Sequence, residues 1–457
     1  MTLWNLETIA RHLEARLTGD GAFVPGTLSM DTRTLKPGAC FVAIKAQRDG
    51  HLFAPQAVEK GAAALLVDHE MDLPVPQLIV PDTLLALQRW GQARLAEVRP
   101  RRVFGITGSV GKTSTKDLLA SATGAWKTPG NRNNTYGMPE ALATLPEGLD
   151  AAVLEMGMNS PGEIKRLTEI APLDFGIITN VGTSHIEFFS QGQEGIALAK
   201  GELVTGLRPG AAWTHLVFDT WSAWIARQPW AGHTRPVAVG DGCDYGWEAP
   251  ESLGARGVRF RFRTPEGVFP VHLRLKGLHH VRNAALAGAV AMISGSEAVA
   301  VAAGLEAVEP DAGRGRLHAL KDGGLLLDES YNASPDSVLA CAASLLELEG
   351  GEAVAVLGCM REQGGEAERL HRETGEGLRR AGIQRVWVYG DHAATLAKAF
   401  GNGALAFPDF ETLRDDPAGL ATLPAGARIL VKGSLYWAAD RIVRWLLERR
   451  SAEAPKP

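Results

Sequence analysis

Cysteine is scarce in this chain. Four stand among 457 residues, at Cys40, Cys243, Cys341 and Cys359, with no paired spacing. That excludes a disulfide framework, argues against a zinc site and fits a reducing cytoplasm. Charge of one sign is also lacking, with 47 Lys and Arg against 52 Asp and Glu, a formal net charge of −5 and no basic run. A nucleic-acid partner is therefore not expected, and any polyphosphate must be held by a local site. Long apolar runs are missing too. The most apolar stretch, 284–303, is broken by Gly, Ser and Glu and is too polar for a membrane span. The N-terminus has no basic segment followed by an apolar one, so it does not read as a signal peptide.

What is present is a soluble globular balance, 45 % apolar and 22 % charged, in a chain too long for one hydrophobic core. An amphipathic pattern at Leu6, Ile9, Ala10, Leu13 and Leu17 opens the chain, followed by strand candidates at 40–44 and 64–67 and a connecting helix at 82–99. From Arg101 onward, strand candidates at 152–154 and 175–179 alternate with helical patterns, which predicts a parallel sheet covered by helices. An irregular, β-leaning insertion is expected near 209–275. Further strand candidates at 324–327, 353–357, 385–389 and 428–431 predict a second, Rossmann-like sheet. The expected architecture is α/β in three domains: a small α/β domain at 1–82, a central parallel-sheet domain with a phosphate loop at 83–312, and a C-terminal Rossmann-like domain at 313–457. The tail at 451–457 is expected to be disordered.

The strongest local signal is Gly105-Ile-Thr-Gly-Ser-Val-Gly-Lys-Thr-Ser114. A strand ends, glycines turn the backbone and a helix begins, so N–H groups and the helix terminus face a phosphate. Thr107, Gly108, Ser109, Gly111 and Ser114 would shape that cradle. Lys112 would reach the terminal phosphates and Thr113 would hold magnesium. Gly105 lies one position too early for the strict phosphate-loop spacing, but Gly-x-x-Gly-Lys-Thr is intact from Gly108. Glu155 ends an apolar strand and would sit on the same sheet edge as a hard oxygen ligand. His185 also follows a strand, although a lone His is usually structural and magnesium seldom takes imidazole. Lys200, in a helical stretch, reads as a surface lysine from its surroundings alone. The segment 128–137, dense in Asn and Gly, reads by default as a loop of Asx turns, although Asn side chains can also orient phosphates.

Taken in order, several motifs together resemble the Mur ligase family. They include Thr107–Ser114, Gly130-Asn-Arg-Asn-Asn134, Glu155-Met-Gly157, Thr179-Asn-Val-Gly-Thr-Ser-His-Ile-Glu187 and Ala199-Lys-Gly-Glu202. Gly277-Leu-His-His-Val-Arg-Asn-Ala284, Gly315-Arg316, Asp328-Glu-Ser-Tyr-Asn-Ala333 and Leu430-Val-Lys-Gly-Ser434 continue the set through the rest of the chain. The resemblance implies a cytoplasmic, monomeric, ATP-dependent ligase. It would join D-alanyl-D-alanine to a UDP-muramoyl tripeptide through an acyl phosphate, in peptidoglycan precursor synthesis. By that resemblance, Thr113 and Glu155 bind one magnesium, and His185 and a carbamylated Lys200 serve a second. Asn133 or Asn134 sits by the γ-phosphate, Asn283 and Arg316 contact the nucleotide, and Asp328 or Glu329 lies near the ribose. Ser29, Asp31, Thr32, Arg33, Lys45, Asp49 and His51 would take the UDP-sugar end, and Asn332, Lys432 and Ser434 would contact substrate.

Four positions depart from the family's pattern. His280 stands where Asn is usual, Glu329 where Asp is, Cys359 where Asp is, and Leu435 where Arg is. They weigh on the incoming amine more than on the phosphate chemistry. A family ligase with another substrate and an inactive nucleotide-binding homologue are the competing expectations.

Overall fold

The computed structural model describes residues 4–451. Its strands form four sheets. The first has five short strands in the order Arg16–Thr18, Gln77–Ile79, Ala64–Val67, Cys40–Val42 and Leu28–Ser29, all parallel except the first pair. Helix Leu6–Leu13 covers one face, with Leu6, Ile9, Ala10 and Leu13 buried. Leu17, read from the sequence as the next position of that helix, instead lies in the strand Arg16–Thr18. The helix stops because Glu14 adopts a left-handed conformation, which returns the chain to the sheet.

Helix Thr83–Val98 is capped by Asp82, whose side chain accepts the Leu85 N–H at 2.9 Å. It serves two cores. Leu87 and Trp90 pack with the first sheet, and Leu95 packs with the second.

The second sheet is fully parallel, in the order Arg235–Val239, Leu207–Leu216, Leu173–Ile178, Arg102–Thr107, Ala151–Glu155 and Trp126–Lys127. Ala151–Glu155 is buried at every position, as expected for a strand between two helical layers. The chain leaves Arg102–Thr107 toward one edge and later returns to its other side at Leu173–Ile178. This strand is therefore the topological switch point, and a crevice opens at its carboxyl end.

The expected insertion at 209–275 is divided. Its first part, Leu207–Leu216 and Arg235–Val239, belongs to the parallel sheet. Only Gly246–Ser252, Val258–Thr264 and Gly267–Leu273 form a separate antiparallel sheet. There Val258, Phe260 and Phe262 point inward while Arg259 and Arg261 point out. The inward row packs into the same core as helix His279–Ile293. The apolar stretch 284–303 is two helices, His279–Ile293 and Ala298–Glu306, and no helix among the described residues is long and apolar enough to cross a membrane.

The fourth sheet runs Arg316–Ala319, Leu325–Glu329, Arg428–Lys432, Ala353–Gly358, Arg385–Tyr389 and Ala404–Phe407, parallel except its first pair. The last strand inserts between Leu325–Glu329 and Ala353–Gly358, which brings Glu329 and Lys432 side by side. The expected disordered tail lies outside the described residues apart from Ser451, which bridges to Leu320.

Candidate functional site

One cavity of about 640 Å³ lies where the second and fourth sheets face each other. Its floor is the turn from strand Arg102–Thr107 into helix Lys112–Thr123. Gly111 has φ 82°, and a Cβ there would come within 2.7 Å of Asn283 Oδ1. Only glycine lets the loop lie this close to helix His279–Ile293. The Asn180 carboxamide oxygen accepts from the Ser109 and Val110 N–H groups at 3.0 Å each. Thr179 Oγ1 donates to the Val110 carbonyl at 2.6 Å, and Ser109 Oγ accepts the Gly182 N–H at 2.9 Å. The loop is thus held in shape by the end of the neighbouring strand.

Lys112 donates to the Gly108 carbonyl at 2.6 Å. Burial lowers its pKa, Glu155 pulls it back up and Arg314 lowers it further. Thr113 Oγ1 donates to Glu155 Oε2 at 2.9 Å, and Asn133 Nδ2 donates to Glu155 Oε1 at 2.8 Å. Lys116 Nζ stands 3.3 Å from the same carboxylate. Burial alone would raise the pKa of Glu155. The charges of Lys116 and Lys112, with the bonds from Asn133 and Thr113, outweigh it and hold Glu155 ionised below its ordinary value. A hydroxyl and an ionised carboxylate facing a cavity are hard oxygen donors of the kind magnesium takes.

Lys200, on helix Gly192–Thr205, is only 2 % exposed, so it is not a surface lysine. Burial and the charge of Lys112 push its pKa well below the ordinary lysine value, against a smaller pull from Asp219. The same burial favours the uncharged, nucleophilic form of the amine over the ammonium. His185 has φ 65°, and its Nδ1 lies 2.5 Å from Glu362 Oε2 of the C-terminal unit. That contact, followed by burial in the opposing direction, lowers the pKa of Glu362.

Ser109, Gly111, Lys112, Thr113, Ser114, Asn133, Asn134, Glu155, His185, Lys200 and Asn283 all line the cavity, as do Glu329, Asn332, Lys432 and Ser434. Some expected residues do not. Thr107 and Gly108 lie behind the loop. Asp328 is occupied in the backbone, accepting from Gly313 N–H at 2.9 Å and Ser330 Oγ at 2.6 Å. Arg316 is exposed on its strand and outside the lining; Arg314, two residues earlier, lines the cavity, with its guanidinium 3.8 Å over the Tyr331 ring. Asn134 is at the wall, but its carboxamide oxygen accepts the Tyr136 and Gly137 N–H groups, the Asx-turn role that the local composition favours.

The N-terminal group is remote from this lining. Arg33 donates to Asp31 from Nε and Nη2 at 3.0 and 2.7 Å, Thr32 Oγ1 donates to Gln56 at 2.7 Å, and Ser29 Oγ donates to the Asp31 carbonyl. His51 Nδ1 is 2.6 Å from Asp49, its Nε2 accepts the Asp68 N–H, and Lys45 pairs with Asp68 at 2.5 Å. These form a second polar cluster on the first sheet.

Residues that the sequence reading did not single out include Asn180, Lys116, Asp219, Arg314 and Glu362. Asn180 carried a usable signal, since it follows a strand at the same sheet edge as His185. Lys116 did too, one helical turn beyond Lys112.

Comparison with known proteins agrees with this geometry. The profile of the Mur ligase middle domain matches residues 106–291, and that of the Mur ligase glutamate ligase domain matches 313–435. The UDP-N-acetylmuramoyl-tripeptide–D-alanyl-D-alanine ligase of Escherichia coli is 36 % identical over 434 residues, covering 92 % of this chain and 93 % of the relative. That of Bacillus subtilis is 35 % identical over 380 residues, covering 81 % of each. A crystal structure of MurF from Acinetobacter baumannii superposes with a TM-score of 0.86 at 29 % identity, over 98 % of this chain and 100 % of that one. MurF ligase from Thermotoga maritima, solved in complex with ADP, gives 0.78 at 26 % identity over 93 % and 97 %. With this fold, this cavity and these relatives, the chain belongs to the Mur ligase family.

Proposed function

We propose that this chain is an ATP-dependent ligase that joins D-alanyl-D-alanine to a UDP-N-acetylmuramoyl tripeptide, in peptidoglycan precursor synthesis. The observation that carries the reading is the cluster of Lys112, Thr113, Glu155 and Lys200 at the phosphate loop, in a chain similar to ligases of that name over nine-tenths of its length.

The substrate carboxylate attacks the γ-phosphate of ATP, giving an acyl phosphate and ADP. The dipeptide amine then attacks the acyl carbon, and inorganic phosphate leaves. Little covalent chemistry falls to the protein, whose work is to position groups and offset charge. Ser109, Gly111 and Ser114 cradle phosphate oxygens, and Lys112 leaves its carbonyl partner to offset the charge on the transferring group. Asn180 keeps the loop N–H groups aligned. Thr113 and Glu155 would hold one magnesium ion; His185 and Lys200, the latter as a carbamate, would serve a second. Bound there, magnesium supplies charge neutralisation at the phosphate oxygens. The lowered pKa of Lys200 supports the carbamate, because only an unprotonated amine adds carbon dioxide. Asn283 and Arg314 lie on the nucleotide side, Arg314 taking the place first given to Arg316. The first sheet, with Asp31, Arg33, Asp49 and His51, would take the UDP-sugar end. Contact between His185 and Glu362 draws the C-terminal unit over the cavity, and that cover shields the acyl phosphate from water. Four free cysteines suit a cytoplasmic enzyme.

The test is phosphate release with ATP, magnesium and UDP-N-acetylmuramoyl tripeptide, with and without D-alanyl-D-alanine. Release that requires both substrates, with one amide formed per phosphate, is the expected result. Release indifferent to the dipeptide overturns the reading.

A further inference from the structure

An amine substrate that is itself a peptide brings a carboxylate into the cavity, and a carboxylate taken from water must meet a cation or donors. Six lysine and arginine side chains line the cavity among the described residues: Lys112, Lys200, Arg282, Arg314, Arg361 and Lys432. Five of them stand at the phosphate loop, on the helix beside it or against Glu329. Lys112 and Lys200 stand at the phosphate loop, and the charge of Arg314 acts on Lys112 and Glu329. Arg282 lies 4.8 Å over Phe218, next to the loop-facing helix. Lys432 is 3.7 Å from Glu329, and its charge acts on His279.

Arg361 is different. It is about half exposed, and its guanidinium lies 4.3 Å over the ring of Tyr436. Nη1 donates to Asp391 at 2.7 Å, which leaves the Nε–Nη2 edge for a bidentate carboxylate. Its chain neighbour Glu362 is the residue that touches His185. A dipeptide with its carboxylate on Arg361 would lie in the same cavity as His185, which the neighbouring Glu362 touches.

We infer that Arg361, braced on the Tyr436 ring, receives the carboxylate of the incoming amine substrate. This rests on the proposed ligase reading. Tyr436 is 68 % exposed, is held in a T-shaped contact with Trp437 at 5.0 Å between ring centroids, and carries the guanidinium over its ring.

The experiment compares D-alanyl-D-alanine with its C-terminal amide as acceptor in the full-length enzyme and in Arg361→Ala, Arg361→Lys and Tyr436→Ala. Wild type is expected to prefer the acid. Arg361→Ala should raise KM for the dipeptide roughly 10- to 100-fold. It should leave KM for ATP and for the UDP-sugar peptide unchanged, and handle acid and amide alike. Arg361→Lys should keep part of the preference, and Tyr436→Ala should lose part of it. The acid-to-amide ratio is independent of how much enzyme is folded. Wild type that ignores the dipeptide overturns the ligase reading and this inference with it. Wild type that uses the dipeptide, alongside an Arg361→Ala variant with an unchanged acid-to-amide ratio, overturns the inference alone.

Discussion

Replacing Lys200 by Met removes a buried amine while keeping most of its volume, and the consequences can be worked out from its surroundings. In the folded protein, burial and Lys112 hold the pKa of Lys200 well below the ordinary 10.5, so the folded state lacks a proton that the unfolded chain binds. Unfolding then takes up one proton at every pH between the lowered value and 10.5, and stability rises with pH across that window. The slope is about 1.4 kcal/mol per pH unit for one proton. Lys200→Met has no such group. At pH values between the lowered folded value and 10.5, the stability of wild type relative to Lys200→Met should rise with pH, by up to about 1.4 kcal/mol per unit. Urea unfolding in carbon-dioxide-free buffer, followed by tryptophan fluorescence, measures both stabilities. Bicarbonate adds a second arm. The proposed carbamate would form only on the folded wild type, so bicarbonate should raise wild-type stability and leave the variant unchanged. Activity should follow, with Lys200→Ala inactive and partly restored by carbonate or acetate. Parallel pH dependence in wild type and variant would show a protonated Lys200 in the folded state and refute the reasoning.

Lys112→Ala should lower the rate of phosphate release at least 10²- to 10³-fold, since it removes the cation nearest the transferring group; near-normal turnover would sink the phosphate-loop assignment. Glu155→Gln leaves the buried Lys116 without its counter-ion at 3.3 Å, and should cost about 3–5 kcal/mol in metal-free unfolding. Because the folded pKa of Glu155 is depressed, that difference should be present above its unfolded value of about 4.5 and fade as pH falls through the folded one; a difference unchanged by acid would exclude the charge as its cause. Asn180→Ala frees the Val110 N–H and leaves the Ser109 N–H only the residue 180 backbone carbonyl at 3.1 Å, and should raise KM for ATP roughly tenfold. An unchanged KM would mean that the loop keeps its shape unaided.

The parts of the molecule legible from sequence are those set by short-range patterns. The strand at 385–389 was read with the bounds the structure gives it, because an apolar run between turn residues has few other solutions. The turn at Gly108–Lys112 was equally plain, since its glycines and lysine stand at a spacing that few other structures need. Leu207–Leu216 was missed as a core strand because Arg208, Pro209 and Gly210 are exposed and break its apolar run, and only its second half is buried. Leu17 kept helical spacing although the helix had already stopped at Glu14, a stop made by backbone conformation rather than by a Gly or Pro visible in the sequence. The exchange of Arg316 for Arg314 turns on strand register. Arg316 is exposed on the edge strand of its sheet, opposite Asp328, a placement that depends on a partner strand. The burial of Lys200 and the meeting of His185 with Glu362 come from tertiary contacts, and no local pattern encodes them.

The four departures from the family's pattern can now be weighed one by one. Cys359 is buried behind the cavity, its N–H donates to the Tyr389 carbonyl at 2.9 Å, and burial pushes its thiol up to about 12; it packs and takes no part in binding. His280 lines the cavity with Nδ1 unpartnered, yet burial, followed by the neighbouring His279 and Lys276, holds its pKa well below the ordinary value. It is therefore neutral and can offer a hydrogen bond, as an asparagine would, without adding charge beside the nucleotide. Glu329 is buried against Lys432, and desolvation raises its pKa in spite of that lysine. Leu435 is the one departure that removes a charge from the amine side. It is 63 % exposed at the cavity rim and brings no replacement, but the next residue, Tyr436, carries the ring on which Arg361 lies. The positive charge missing from the loop after Ser434 is thus present in the same part of the cavity, supplied from the loop that also touches His185. Altered amine recognition should therefore depend on Arg361, while Lys112, Thr113, Glu155 and Lys200 remain together at the phosphate loop.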